Sequence, residues 1–468
     1  MKKKYVRWTL WTIASPFILF IILCILIYLP PIQNFLVDKA AVYASEATGM
    51  NISVGRISLS FPLNLVVTNV DAASPHNDTL LSVRRLQVNV QLLPLLKKQV
   101  EVDGISLQGA TVNSNDLIHG MKLNGTLGEL FISSHGVALD PETAIVNKVL
   151  LKDTDLSLCL NDTAAADTAA SDTTYWKIIL QDIDLQNVSF ALDMPLDSLS
   201  LAASLDNAIL RDGLIDLHKS AYSLQTFRIE NGRVRYDNGK PLAADSLSSG
   251  LDPSHIALTD IGVKLDSLYY GGRNMKAIIS QFVLKERSGV EIVSATGRMV
   301  SNDKVLRVPS LKLETRDSYL ELNAAMDWNA LDFKDEGLVS ARLMADIGKP
   351  DVVRFMGRMD EKFIRQYPSE PLRIRTGIDG DLNKLKLTTL TAELPGALGL
   401  FARGELTHLT DSLLRGGDIT LEAETKDLKF VSTLAEGIEI PYGTRLEGKF
   451  TMAGTKMGTD LLLMQPEA

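Results

Sequence analysis

Short runs of alternating apolar and polar residues fill most of this chain. Ile52 and Val54, then Ile57, Leu59 and Phe61, alternate on either side of a break at Gly55. Period-two runs follow at 65–70, 81–90 and 100–107. They resume at 149–160, 176–192, 224–236, 256–268, 275–285, 290–299, 306–314, 319–328, 338–347, 372–378, 385–392, 398–406, 418–423 and 444–452. A strand sends successive side chains to opposite faces, so each run predicts a strand with one apolar face. Gly, Asn and Asp punctuate the runs, as turns require.

Two segments have a helical period instead. Residues 32–48 place Ile32, Phe35, Leu36, Tyr43 and Ala47 on one face, with Pro31 before them and Gly49 as the stop. Residues 351–366 place Val352, Met356, Met359 and Phe363 on a stripe between Pro350 and Pro368, which predicts one helix packed on a sheet end.

Residues 8–29, WTLWTIASPFILFIILCILIYL, carry no charge and are long enough to cross about 30 Å of hydrocarbon as a helix. Lys2, Lys3, Lys4 and Arg7 precede them, which predicts a cytoplasmic N-terminus and an external body. A cleaved signal peptide needs a shorter apolar core and small residues at the cut; Pro30-Pro31 follows this one. The organisation read from the chain is a stub at 1–7, a transmembrane helix at 8–29 and an amphipathic helix at 30–49. A first β region at 50–160, a disordered polar loop at 161–174 (NDTAAADTAASDTT) and β repeats at 175–468 complete it.

A unit recurs among the strands. VEVDGISLQGATV (100–112), LQDIDLQNVSF (180–190) and TFRIENGRVRY (226–236) each alternate, pass a central Gly or Asn beside a polar residue, and alternate again. A longer echo links 310–328 with 389–406, about 80 residues apart, as tandem repeats do.

Composition narrows the function. With 468 residues, a prior of roughly 150 per domain gives about three domains' worth of chain. Lys and Arg number 48 against 57 Asp and Glu, a net charge of −9, and this argues against nucleic-acid binding. The two cysteines, Cys24 and Cys159, exclude a disulfide framework, and their scarcity in an exported body favours a bacterial envelope. The six histidines are scattered singly, and no nucleophile elbow, dinucleotide fingerprint or P-loop occurs. Neither an enzyme nor a cofactor is expected.

Sheets with one apolar face must cover it with helices, a second sheet or themselves. Two helices cannot cover so many strands. The choice lies between a closed sandwich or barrel and a curled sheet whose apolar face meets a ligand. Alternation alone nominates Leu311, Leu313, Leu320, Leu322, Leu400, Leu406, Ile419 and Leu421 as the lining of such a groove.

The order of motifs also resembles a known family. A basic stub, an uncleaved span and a short amphipathic helix precede Ile57-Ser-Leu-Ser-Phe-Pro-Leu63 and Leu65-Val-Val-Thr-Asn-Val70. Leu86-Gln-Val-Asn-Val-Gln-Leu-Leu-Pro-Leu-Leu96 and Val100-Glu-Val-Asp-Gly-Ile-Ser-Leu-Gln-Gly-Ala-Thr-Val112 follow. This resembles the N-terminal portion of the AsmA-like superfamily, and within it most of all the TamB family. The resemblance implies a mainly β chain: an inner-membrane helix, then a repetitive, antiparallel, twisted groove in the periplasm with few short helices. It implies phospholipid acyl chains as cargo and a part in phospholipid transport and outer-membrane biogenesis. It also leaves open an outer-membrane protein assembly factor that meets a barrel partner, and a structural envelope scaffold without transport. The C-terminal domain of TamB proteins is not recognisable before the chain stops at the strand-like 460–464, so a truncated chain is expected.

Overall fold

The computed structural model describes residues 39–465 except 40, 44, 47, 61–63, 75–77, 92–101, 115–119, 139–141, 162–174, 241–249, 335, 357–359 and 434–439. The expected span at 8–29, the first part of the helix at 32–48 and nearly all of the polar loop lie outside these residues. No helix among the described residues is long and apolar enough to cross a membrane. The described positions between 39 and 48 are helical.

The chain is mainly β, with 22 strands and few short helices among the described residues. It divides into two compact units, one up to Asn207 and one from Ala208. The first holds β1 (Asn51–Ser60), β2 (Asn64–Ala73), β3 (Thr79–Val90), β4 (Val102–Asn113), β5 (Met121–Ala138), β6 (Thr143–Leu160) and β7 (Lys177–Met194), and β8 (Leu199–Asp216) begins in it. Strands β1 to β6 pair antiparallel in chain order. The next step departs from the antiparallel expectation, because β7 runs parallel to β6, with Thr143 beside Lys177 and Leu158 beside Leu192. A tight hairpin cannot join parallel neighbours, and sixteen residues separate Leu160 from Lys177 in the sequence.

The recurring sequence unit has a structural meaning in this first unit. Its central residues Gly109 and Asn187 have φ of 62° and 52°, and Asn69 and Asp153 share that left-handed conformation at 54° and 51°. Register brings Gly55, Asn69, Arg84, Gly109, Gly128, Asp153 and Asn187 into one line across β1–β7. Apolar positions change parity at this seam: Ile105 and Leu107 give way to Ala110 and Val112, and Ile183 and Leu185 to Val188 and Phe190. One additional residue, in the left-handed region in β2, β4, β6 and β7, restores the apolar side chains to the face they left. Asn187 Nδ2 donates to Asp153 Oδ1 at 2.9 Å along the seam. The seam is also tight, since a Cβ on Gly128 would stand 2.8 Å from the Cβ of Asp153.

The second unit holds β9 (Ala221–Leu224), β10 (Thr226–Asp237), β11 (His255–Gly271), β12 (Asn274–Glu286), β13 (Glu291–Ser301), β14 (Val305–Thr315), β15 (Tyr319–Asp327), β16 (Leu338–Ile347) and β17 (Leu372–Asp381). It continues through β18 (Lys384–Leu394), β19 (Leu398–Thr407), β20 (Gly416–Thr425), β21 (Arg445–Ala453) and β22 (Lys456–Met464). From β10 onward each strand pairs antiparallel with the next. Among the described residues of this unit three short α-helices sit at strand ends: α1 (Trp328–Leu331), α2 (Lys349–Met356) and α3 (Glu361–Gln366). The single helix expected over 351–366 is therefore two helical segments, and Asp360 caps the second by accepting from Lys362 N at 2.8 Å. The side chain of buried Asp351 pins α2 to the β14–β15 turn. It accepts from Thr315, from Ser318 Oγ at 2.6 Å and from Arg354 Nη1 at 3.0 Å.

Two small buried clusters close opposite strand ends of this unit. Phe363, Tyr367, Leu394, Ala397, Leu428 and Phe430 form one, with ring centroids 5.2–5.8 Å apart among its three aromatics. Ala330, Val339 and Leu382 form the other, packed by Met326, Ile378, Leu385 and Leu409. Neither cluster covers the middle of the strands.

Candidate functional site

All eight residues nominated from alternation fall on one face of the second unit. Residues directly opposite in a ladder share a face, and the register can be followed strand by strand. One row reads Ala295, Leu313, Leu320, Ala345, Ile374, Ala392, Leu400, Ala423, Leu446 and Leu463. The next reads Gly297, Leu311, Leu322, Leu343, Thr376, Leu390, Ala402, Leu421, Gly448 and Leu461. Leu406 lies opposite Leu385 and Gly417, and Ile419 opposite Gly404 and Phe450, in two further rows of the same face. Ten strands at about 4.8 Å spacing make each long row about 43 Å from end to end. Thr376 is the one residue with a polar side chain in the first two rows.

The eight side chains are neither buried nor exposed; every one is half-buried. Small row members such as Ala345 and Ala402 are shielded by their larger neighbours, whereas Leu461 and Leu463 on the last strand are each 57% exposed. The strands from β12 to β22 make their substantial contacts with ladder neighbours. The interior leucines of a closed sandwich would be sealed by a second sheet. Here each of the eight side chains remains half-buried.

The opposite face carries charge. Lys312, Glu321, Arg375, Glu422 and Glu447 lie there in register with Met344, Thr391 and Phe401. Arg375 grips Asp346 with two bonds of 2.8 and 3.0 Å, and Arg373–Glu393, Lys384–Glu405 and Arg445–Glu424 bridge neighbouring strands at 3.3–3.8 Å. Tyr319 donates to Glu321 at 2.9 Å, and that bond, with some desolvation, raises its pKa. A depression of about 450 Å³ over β18–β21 is lined mostly from this face, by Thr391, Glu393, Phe401, Glu422 and Glu424 among others; of the eight nominated residues only Leu400 borders it.

A second polar constellation surrounds His255, which is only 6% exposed. Its Nδ1 lies 2.8 Å from Asp252 Oδ2 and its Nε2 3.6 Å from Asp237 Oδ1, while Arg287 donates to its carbonyl at 3.3 Å. The Asp252 bond raises the imidazole pKa above its ordinary 6.5, and the same bond holds the Asp252 carboxyl below 3.8. The group ties the β10–β11 connection to the strand ends, and Leu251 N–H extends the tie to Arg354 O at 2.8 Å. Among the described residues no cluster of three or more His, Cys, Asp or Glu is arranged to hold a metal.

Alternation picked eight members of the apolar face and passed over Leu343, Ile374, Leu390, Leu446, Leu461 and Leu463. Those six obey the same period-two rule in the same or neighbouring strands, so the signal that finds them was already present. What the sequence could not supply was the register that joins them into rows. Comparison with known proteins adds no relative to this picture: no family model and no curated protein matches the chain.

Proposed function

We propose that this chain is an envelope protein that holds and conducts phospholipid acyl chains along the apolar face of its second unit. One observation carries the reading: ten strands align their apolar side chains in continuous rows whose leucines are half-buried from β14 to β21 and exposed on β22. An apolar strip about 43 Å long exceeds what a soluble surface ordinarily leaves uncovered. Acyl chains fit it because contact there is apolar and without direction, at roughly 0.8 kcal/mol per CH₂ removed from water. Uniform rows offer many equivalent positions, so a lipid can shift along them without a deep trap, and its headgroup can remain in water. No bond is made or broken. The uncharged segment 8–29 with its preceding cations supports anchorage in a bacterial inner membrane with a periplasmic body. The resemblance to the AsmA-like superfamily points the same way.

The test places a charge on the face. Leu313→Asp, Leu322→Asp and Leu406→Asp in the full chain are expected to melt like the wild type while phospholipid retained per chain falls. Comparing variant with wild type cancels lipid held by residues 8–29. An unpaired charge in a dry core costs several kcal/mol. Collapse of all three variants, with no lipid difference to lose, identifies a closed core and ends the transport reading.

A further inference from the structure

We infer that one strand end of the second unit docks on a lipid bilayer through two rigid apolar prongs, the β15–β16 and β19–β20 connections. This rests on the reading that the chain handles lipid, but a different part of the molecule carries it. Both connections leave the same end of the antiparallel ladder, on either side of the β17–β18 turn. Each presents large apolar side chains to solvent: Leu331 and Phe333, the latter 64% exposed, on the first, and Leu413 and Leu414, 80% and 64% exposed, on the second.

These side chains are held out by construction. In the first prong Phe333 N donates to Ala330 O at 3.1 Å and Lys334 N to Asn329 O at 2.8 Å; Phe333 itself has φ of 52°, a conformation that aromatic residues rarely adopt. Trp328 Nε1 fixes the base through Asn302 O at 2.8 Å. In the second prong Asp411 Oδ1 accepts from the backbone N–H groups of Leu413 and Leu414 at 2.8 and 3.2 Å, and Gly454 N donates to Arg415 O at 2.7 Å. Both prongs stand on one base, because Ala330 and Leu409 belong to the same apolar cluster. Folding thus keeps Ala330 and Leu409 inside while fixing their larger neighbours outside.

The occupant follows from shape and charge. A helix or strand of a protein partner seeks a groove, whereas these exposed side chains are carried on two separate strand-connecting loops. A fluid surface can close around such tips one by one. Trp328, with the Arg273 guanidinium 5.5 Å from its ring centroid, supplies the amphipathic collar suited to a membrane interface. Asp332 pairs with Arg273 at 3.2 Å and Lys334 at 3.1 Å, and Asp335 and Glu336 follow in the same connection, so the first prong is slightly acidic and has no surplus of cations to draw an anionic lipid. A zwitterionic bilayer fits this balance, and docking should depend little on salt.

The experiment uses the full chain, with Cys24→Ser and Cys159→Ser, reconstituted in phosphatidylcholine vesicles that carry an acyl-chain quencher. An environment-sensitive dye is placed on Leu414→Cys, and in a second preparation on Tyr442→Cys, an exposed site at the opposite strand end. The expected result is a blue shift and quenching at position 414 and neither at 442. Phe333→Glu with Leu413→Glu should lower vesicle occupancy at 414 by roughly tenfold per residue replaced. Both sites are exposed, so the melting temperature should hold; a fallen melt is resolved by the dye result, which needs no charged variant. Absence of quenching at 414, or equal quenching at 442, overturns the inference. If phospholipid retention on the apolar rows persists in that case, docking alone has failed and the transport reading stands.

Discussion

Strands β1–β7 of the first unit and β15–β22 of the second are built from the same alternation, yet they keep it by different means. In β1–β7 every strand changes parity at the seam; Asn69, Gly109, Asp153 and Asn187 make the change in the left-handed region, and Gly55, Arg84 and Gly128 hold the same place in β1, β3 and β5. In β15–β22 the register runs unshifted through seven of the eight strands, and only β18 slips, between Leu387 and Leu390. A seam of inserted residues bends and twists the strands that contain it. It makes the first unit sensitive to single residues at fixed places. The unbroken strands have no such points, so their rows tolerate change as long as the apolar period survives.

The largest expected effect is at the seam. Gly128→Val puts a branched side chain where Cβ alone would stand 2.8 Å from the Cβ of Asp153 and 2.9 Å from two carbonyl oxygens. It should cost about 3 kcal/mol, read from denaturant midpoints, with hydrogen exchange rising first in β5 and β6. Normal protection there would dissolve the claim that the seam is a close contact. Asn187→Val forces a β-branched residue to φ of 52° and removes the bond to Asp153, and about 2 kcal/mol should be lost. Thr420→Val, in an unbroken strand, should change stability by less than about 0.5 kcal/mol. Equal losses at 187 and 420 would erase the contrast.

Smaller effects belong to the polar side of the second unit. Arg375→Ala removes the two-bond grip on Asp346, but both groups are partly exposed, so about 0.5–1 kcal/mol is expected by thermal unfolding. A loss several times larger would mean that the charged face, too, is covered by protein. The His255 group adds a pH signature. Its pKa is raised on folding, so its contribution is complete below about 6.5 and fades as pH rises through the higher folded value. Asp252 is lowered, so its contribution is present above 3.8 and is lost as pH falls through the lower folded value. Melting temperature should therefore drop modestly from pH 6 to pH 8.5, and His255→Gln should flatten that slope. A slope unchanged by the substitution places its origin elsewhere.

Much of this fold was legible as period two, and the failures share a cause. Strand β5 escaped because Gly125 and Gly128 interrupt its apolar residues; β8 escaped because Ala and Asp dilute its alternation. The parallel pairing of β6 with β7 leaves no local trace, since alternation within a strand is the same for either direction of its neighbour. Of the stripe expected over 351–366, Phe363 is buried and Val352 packs beside it, whereas Met356 is exposed and Met359 lies outside the described residues; the cap at Asp360 starts a second helical segment. The central Gly and Asn of the recurring unit were visible, whereas their left-handed conformation was not. For the apolar face, eight residues could be named because alternation is local. Their union into rows is a property of register, which depends on long-range pairing.

The central claim is that one face of the unbroken strands meets acyl chains and the other does not. A photoreactive phenylalanine analogue placed in turn at positions 419, 420, 421 and 422 of the full chain in cells tests it directly. Ultraviolet crosslinking followed by mass spectrometry should recover phospholipid from 419 and 421, beside Phe450 and Gly448 on the apolar face, and none from 420 and 422. Equal recovery at all four positions, or crosslinks from 419 and 421 to protein alone, would contradict the account.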